Sequence, residues 1–265
     1  MMLRRNRVLE ALAEGRPALG VATQMNSPEA VEAIGAVGYD FTYIDCEHGS
    51  FFLEGAVQMI RASEAVGLTP IIRVPGHDPT FITRVLDAGA MGVIVPNVST
   101  RGEAEQVVAA AKYLDGDNGG RRGACPGTRA SWHQTTDWPA FARWSNANTM
   151  VWVLIESPEG VANAREIAAV PGLGAVMLGP FDLAHAIGRP GEPRHPQVAQ
   201  AYDDVMAAAR DSGVEVVASL FSAEPASMTR EKAEWLEKGA RILVAGSDRR
   251  MLVRALADRL AALRA

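Results

Sequence analysis

Eight short apolar runs, each followed by a stretch of helical periodicity, recur along nearly the whole chain, and this alternation constrains the fold more than any other feature. The runs are ALGVAT at 18–23, FTYID at 41–45, TPIIRV at 69–74, MGVIVP at 91–96, MVWVLIE at 150–156, GAVMLG at 174–179, VEVVASLF at 214–221 and RILVAG at 241–246. Between and after them lie SPEAVEAIGAVG, PTFITRVLDAG, TRGEAEQVVAAAKYL, SPEGVANAREIAAV and SDRRMLVRALADRLAALRA, which read as helices. Ser27 and Thr100 suit N-caps, Pro28 suits a first helical position, and Gly38, Gly67, Gly89 and Gly239 stand where left-handed C-caps are wanted. Eight βα units predict an α/β chain folded as one (β/α)8 TIM barrel over residues 1–265. An open doubly wound sheet is the alternative, but no GxGxxG follows the first strand and no nucleotide fingerprint appears. Residues 115–149 and 180–196 interrupt the alternation as long loops, which in a compact barrel are expected to carry function.

Composition narrows the partners. With 48% hydrophobic and 22% charged residues the chain has material for a substantial core, and its net charge of -5 argues against nucleic acid. The start, MMLRRNRVLEALAEGRP, is basic but lacks the apolar centre of a signal peptide, and no run approaches membrane-spanning length; a cytoplasmic location away from membranes is expected. Cys46 and Cys125 are the only cysteines, too few for a disulfide framework or structural zinc. Cys46 lies between Asp45 and Glu47, whose charges oppose a thiolate, so it reads as a packing residue.

Active sites of such barrels lie at the carboxyl ends of the strands. Those positions carry Asp45, Glu47 and His48 after the second strand, Arg73 at the end of the third, Glu156 after the fifth and Asp182 after the sixth. Glu156 and Asp182 are the metal candidates, since a hard ion such as Mg²⁺ or Mn²⁺ takes one or two protein carboxylates and leaves positions for an α-keto acid. Arg73 suits the charge growing on a keto oxygen, and His48 suits acid–base work near neutrality. The stretch Gly179-Pro180-Phe181-Asp182 could present the N–H groups of Phe181 and Asp182 to a substrate carboxylate at a helix start. The only lysines, Lys112, Lys232 and Lys238, fall in expected helices, so no Schiff base is expected. Asp248 in AGSD would repel a phosphate at the last helix.

Taken in order, YIDCEHG, PIIRV, LDAGAMGVIVP, RRGACPGTRAS, IESPEG and MLGPFDLA resemble the HpcH/HpaI family of metal-dependent (class II) pyruvate aldolases, from about residue 15 onward. The resemblance implies reversible cleavage of a 4-hydroxy-2-oxo acid, of the 4-hydroxy-2-oxoheptanedioate or 2-keto-3-deoxy-sugar-acid type, to an aldehyde and pyruvate through a metal-stabilised enolate. It implies Mg²⁺, Mn²⁺, Co²⁺ or Zn²⁺ on Glu156 and Asp182, Arg73 on the keto or enolate oxygen, and His48 as base with a metal-bound water. Asp45 and Glu47 would support that water and the loop, and Asp87 would pair with His48. It further implies a homohexamer, a dimer of trimers, with the last barrel helix exchanged onto a neighbour. Cys46 stands where the family often has Gly, VATQMNS lacks a common tryptophan, and RRGACPGTRASWHQ departs in spacing, with Trp132, His133 and Gln134 either facing the aldehyde or serving a structural or subunit contact. Two rivals share the barrel: an acyl-CoA lyase of the malyl-CoA or citrate lyase type, with GGRRGACPGTR as its basic entrance, and a non-catalytic ligand-binding barrel.

Overall fold

In the structure, a computed structural model describing residues 4–133 and 135–264, the eight apolar runs become the strands of a closed barrel. They are β1 (Ala18–Thr23), β2 (Phe41–Asp45), β3 (Thr69–Arg73), β4 (Gly92–Val95), β5 (Met150–Ile155), β6 (Ala175–Leu178), β7 (Glu215–Ser219) and β8 (Ile242–Ser247). Each pairs in parallel with its neighbours, and β1 closes on β8. Val74, Pro96, Glu156 and Gly179, at the ends of the apolar runs, lie past the ladder rather than in it.

The strands separate two layers of core. Inside lie Phe41, Ile71, Ile94, Trp152, Val217 and Ile242, all buried, with the Phe41 and Trp152 rings packed edge to face at 5.6 Å. Gly20 makes room for them: a Cβ there would run into the Phe41 ring. Helix Arg7–Ala13 buries Val8 and Ala11 against this inner layer. Its N-cap Asn6 donates through Nδ2 to the carbonyls of Met91 (3.3 Å) and Asn148 (2.8 Å), just ahead of β4 and β5. The helix therefore plugs the amino ends of the strands, and the carboxyl ends stay open.

The expected caps form. Ser27 accepts from the Ala30 N–H, Thr100 and Glu103 make a reciprocal capping box, and Gly38, Gly67, Gly89 and Gly239 all have positive φ. The two interrupting segments are more ordered than their composition implied. Residues 115–149 contain a helix, Trp138–Asn148, capped by Asp137 and held by Trp138, Phe141 and Trp144 around Tyr113. Its Pro, Ser and Asn residues hide it from periodicity; aromatic packing holds it in place. Residues 180–196 contain helix Pro180–Ala186.

The last helix, Asp248–Arg264, behaves unlike the others. Asp248 is its one buried residue among those described, while Met251, Leu252, Val253, Leu256, Leu260 and Leu263 are exposed. No helix among the described residues is long and apolar enough to cross a membrane.

Candidate active site

Strand pairing alone brings the first two site residues together, because Asp45 of β2 is in register with Arg73 of β3. Arg73 donates from Nε to Asp45 Oδ1 (2.9 Å) and from Nη2 to Oδ2 (2.5 Å), a two-pronged pair. The Asp45 side chain is wholly buried and also accepts from Gln24 Nε2 (2.9 Å) and from the backbone N–H groups of Glu47 and His48 (3.1 Å each). Burial pushes its carboxyl up, but the hydrogen bonds and charge of Arg73, together with the hydrogen bonds from Gln24 and the His48 N–H, outweigh this and hold it below the usual carboxylate range. Asp45 is thus an ionised anchor: it fixes Arg73 on one side and the turn carrying His48 on the other. The turn is tight, and Gly49 is required in it, since a Cβ there would strike the Asp45 carbonyl oxygen.

Glu47 points into the same region. Arg73 Nη1 lies 3.1 Å from Glu47 Oε2, close enough for an ion pair but not aligned as a hydrogen bond, and this buried oxygen has no hydrogen-bond partner among the described residues. Burial raises the Glu47 carboxyl despite Arg73. His48 Nε2 lies 3.9 Å from the same oxygen, with its side chain 60% exposed.

Glu156 sits one residue past β5 and is buried. Its Oε1 accepts the N–H of Asn97 (2.9 Å), which adopts φ +56°, a left-handed conformation that Asn tolerates better than most residues. Asp182, in the first turn of helix Pro180–Ala186, comes within hydrogen-bond reach of Glu156. Burial, offset in part by the Asn97 N–H, pushes the Glu156 carboxyl up to about 7, and the Asp182 and Glu47 charges add to the effect. Gly179 makes this pairing possible, since a Cβ there would lie 2.5 Å from Glu156 Oε2. Gly179→Ala is therefore expected to displace the Glu156 carboxylate and lower kcat/KM by about 100-fold with little change in melting temperature, as steady-state kinetics and calorimetry would show.

Two acidic groups held this close, beside a third with an orphaned oxygen, fit a divalent cation with water in its remaining positions. Among the described residues no group of three or more His, Cys, Asp or Glu side chains is arranged to hold a metal. The protein offers two carboxylates and no closed cage, which suits an oxygen-loving ion that shares its shell with substrate rather than a structural zinc.

Other expected residues lie elsewhere. Within the chain Asp87 does not pair with His48; it accepts from Arg122 Nη2 (2.7 Å), at the end of helix Pro79–Asp87, away from the strands' carboxyl ends. Nor do Trp132 and His133 reach the mouth within one chain. Trp132 stacks under the Arg4 guanidinium (4.2 Å), while His133 Nδ1 bonds the Gly127 carbonyl (3.0 Å). Gln134 lies outside the described residues. Phe181 packs edge to face on Phe221 (5.6 Å). Sequence reasoning passed over Gln24, Asn97 and Arg249, and read Asp248 only as a charge that repels phosphate. Gln24 follows β1 and Asn97 follows β4 in the same strand-end positions that revealed the others, but neutral amides drew no notice there.

Comparison with known proteins identifies the family. The family model described as HpcH/HpaI aldolase/citrate lyase matches residues 20–255. A 5-keto-4-deoxy-D-glucarate aldolase of Escherichia coli O139:H28 (strain E24377A / ETEC) is 33% identical over 243 residues, covering 92% of this chain and 91% of that one. An HpcH/HpaI aldolase/citrate lyase family protein from Burkholderia cenocepacia J2315 superposes with a TM-score of 0.89 at 30% identity, over 98% of this chain and 100% of that one. The citrate synthase SbnG superposes with a TM-score of 0.85, also at 30% identity, over 96% of each chain. The chain belongs to the HpcH/HpaI aldolase/citrate lyase family. Its enzyme class, a carbon–carbon lyase of the aldolase kind, follows from that membership.

Proposed function

We propose that the chain catalyses reversible aldol cleavage of a 4-hydroxy-2-oxo acid to pyruvate and an aldehyde, with a divalent ion, Mg²⁺, Mn²⁺ or Co²⁺, held by Glu156 and Asp182. The observation that carries this reading is the Glu156–Asp182 pair beneath Gly179, two acids held together where a cation would relieve their repulsion. When bound, the ion supplies Lewis-acid charge for the oxygens of the oxo acid. Arg73 has Nε and Nη2 committed to Asp45, which orients the guanidinium and leaves Nη1 on the Glu47 side for the oxygen that gains charge as the bond breaks. His48 takes the proton of the 4-hydroxyl in cleavage and returns it in synthesis. The N–H groups of Phe181 and Asp182, following Gly179 and Pro180, receive the substrate carboxylate. Glu47 accepts a hydrogen bond from water in the site through its orphaned oxygen.

The name of the Escherichia coli relative favours a sugar-acid substrate, so the aldehyde would carry hydroxyl and carboxylate groups. The exposed apolar residues of helix Asp248–Arg264 favour contact with a second copy of the chain, and the family resemblance extends this to a homohexamer, a dimer of trimers, in which this helix lies on a neighbour. In such an assembly Asp87 would meet His48 only across a subunit boundary. The enzyme would act in the cytoplasm.

Adding pyruvate to a panel of aldehydes tests the reading. Carbon–carbon bond formation lost in EDTA and restored by Mn²⁺ is expected; equal activity in EDTA would reject it. Metal affinity carries a pH signature. Below about 7 the raised Glu156 carboxyl holds a proton that the ion must displace, so affinity should rise about tenfold per pH unit up to about 7 and then level off, as calorimetric titration would show.

A second reading, cleavage of an acyl-CoA thioester, needs a basic entrance. The sequence pointed to GGRRGACPGTR, but there Arg122 is buried against Asp87 and Arg129 is paired with Glu64. A cleft of about 750 Å³ instead presents Arg194, Arg230 and Arg250 beside Phe181. Turnover of a malyl-type thioester in preference to a free hydroxy-oxo acid would favour this second reading.

A further inference from the structure

Helix Asp248–Arg264 turns most of its length away from the barrel, yet its first two residues are tied into the loops beside the candidate base. Asp248, buried, accepts the backbone N–H groups of Gln24 (Oδ1, 3.0 Å) and Met25 (Oδ2, 3.0 Å). Arg249 donates from Nη2 to the Gln24 carbonyl (2.6 Å) and to Ser50 Oγ (3.3 Å), and from Nη1 to the His48 carbonyl (3.3 Å). Gln24 in turn donates to Asp45, and Asp45 accepts the N–H groups of Glu47 and His48. These contacts close a ring: Asp248 to Gln24, Gln24 to Asp45, Asp45 to the His48 N–H, the His48 carbonyl to Arg249, and Arg249 back to its neighbour.

We propose that Arg249 is a positioning residue for the acid–base step, holding the turn 46–50 from the side opposite Asp45. The proposal rests on the reading of His48 as the base. His48 is held at both ends of its own peptide units, its N–H by Asp45 and its C=O by Arg249, while its ring is mostly open to solvent. Within one chain a side chain so exposed receives little orientation from packing, so its own subunit sets its direction through the backbone. The ring also explains a charged side chain at this point of the helix. Three carbonyl and hydroxyl acceptors converge on one guanidinium, and a planar fork reaches them where an ammonium reaches fewer. Displacement of a reacting group by about 1 Å costs on the order of 100-fold in rate. Loss of the clamp should therefore lower kcat and leave the metal and oxo-acid half of the site unchanged.

The test compares Arg249→Met, Arg249→Lys, His48→Asn and the double variant Arg249→Met/His48→Asn in the full-length enzyme, with Mn²⁺, pyruvate and a fixed aldehyde. Expected for Arg249→Met are a kcat lower by about 10- to 100-fold, unchanged KM for pyruvate, unchanged Mn²⁺ affinity and faster amide exchange in residues 46–50. Arg249→Lys should recover part of the loss. The double variant should be no slower than His48→Asn, because the clamp acts only through the histidine. Additive losses, or a pyruvate KM that rises with kcat unchanged, would overturn the proposal, as would unchanged exchange in residues 46–50. If His48→Asn retains full activity, the base assignment fails instead, and the exchange measurement still reports whether Arg249 holds the turn.

Discussion

Glu156→Gln is expected to leave the barrel folded and to lower kcat/KM by at least about 10³-fold, because it removes one of the two proposed ligands and the charge that a divalent ion would need. The substitution keeps the shape of the side chain, so the hydrogen bond from Asn97 to Oε1 can persist. Exchange of the pyruvate methyl protons in deuterated water isolates the metal-dependent half of the reaction from the aldehyde, and it should fall with kcat/KM. Stability should move the other way. Without metal, the Glu156 carboxyl binds its proton more tightly in the fold than in the unfolded chain, so the parent protein is favoured at low pH and loses that contribution as pH rises through about 7. Metal-free Glu156→Gln should accordingly melt higher than the parent at pH 8, with the gap closing toward pH 5. A site that costs stability until its cation arrives is the expected mark of function rather than packing. Equal proton exchange in the variant and parent would remove Glu156 from the site.

Arg73→Met has the next largest expected effect, and it strikes both stability and catalysis. It strands the wholly buried Asp45 carboxylate with only Gln24 and two backbone N–H groups, and breaking a buried pair from one side costs about 3–5 kcal/mol. For a chain of this size that lowers the melting temperature by on the order of 10 °C. Activity should fall about 10³-fold as the cation proposed to face the developing charge is lost. The double variant Arg73→Met/Asp45→Asn separates the two effects: most of the stability should return, because no unpaired charge remains, and activity should not. The Asp45 carboxyl is depressed in the fold, so its contribution is present above the ordinary carboxylate range and is lost as pH falls through the depressed value. In the parent protein, urea melts should therefore weaken on acidification more steeply than in the double variant.

The barrel was legible because its code is local. Alternating apolar runs and amphipathic stretches require only the nearest residues to agree, and Ser27, Thr100 and the positive-φ glycines mark the boundaries one by one. The placement of the charged residues of the candidate site was legible for a related reason, since a strand end is a poor place for an unpaired Asp45, Arg73 or Glu156. Less of the supporting layer showed. Asn97 acts through its backbone N–H, Gln24 through a neutral amide, and Arg249 from a helix some two hundred residues away along the chain from His48. Strand-end position is the one local mark of Gln24 and Asn97, and nothing local marks Arg249. Asp87 shows the reverse limit: its motif suggested a role, but within one chain the topology carries it to Arg122. The helix Trp138–Asn148 escaped notice because tertiary aromatic contacts, not periodicity, specify it.

The most direct measurement is an anomalous difference map from crystals grown with Mn²⁺ and pyruvate. A single strong peak shared by the Glu156 and Asp182 carboxylates, with pyruvate beside it on the Arg73 side, is the expected result. Mn²⁺ bound at any other place in an active crystal, or pyruvate seated with those two carboxylates still facing each other and no ion between them, would contradict it.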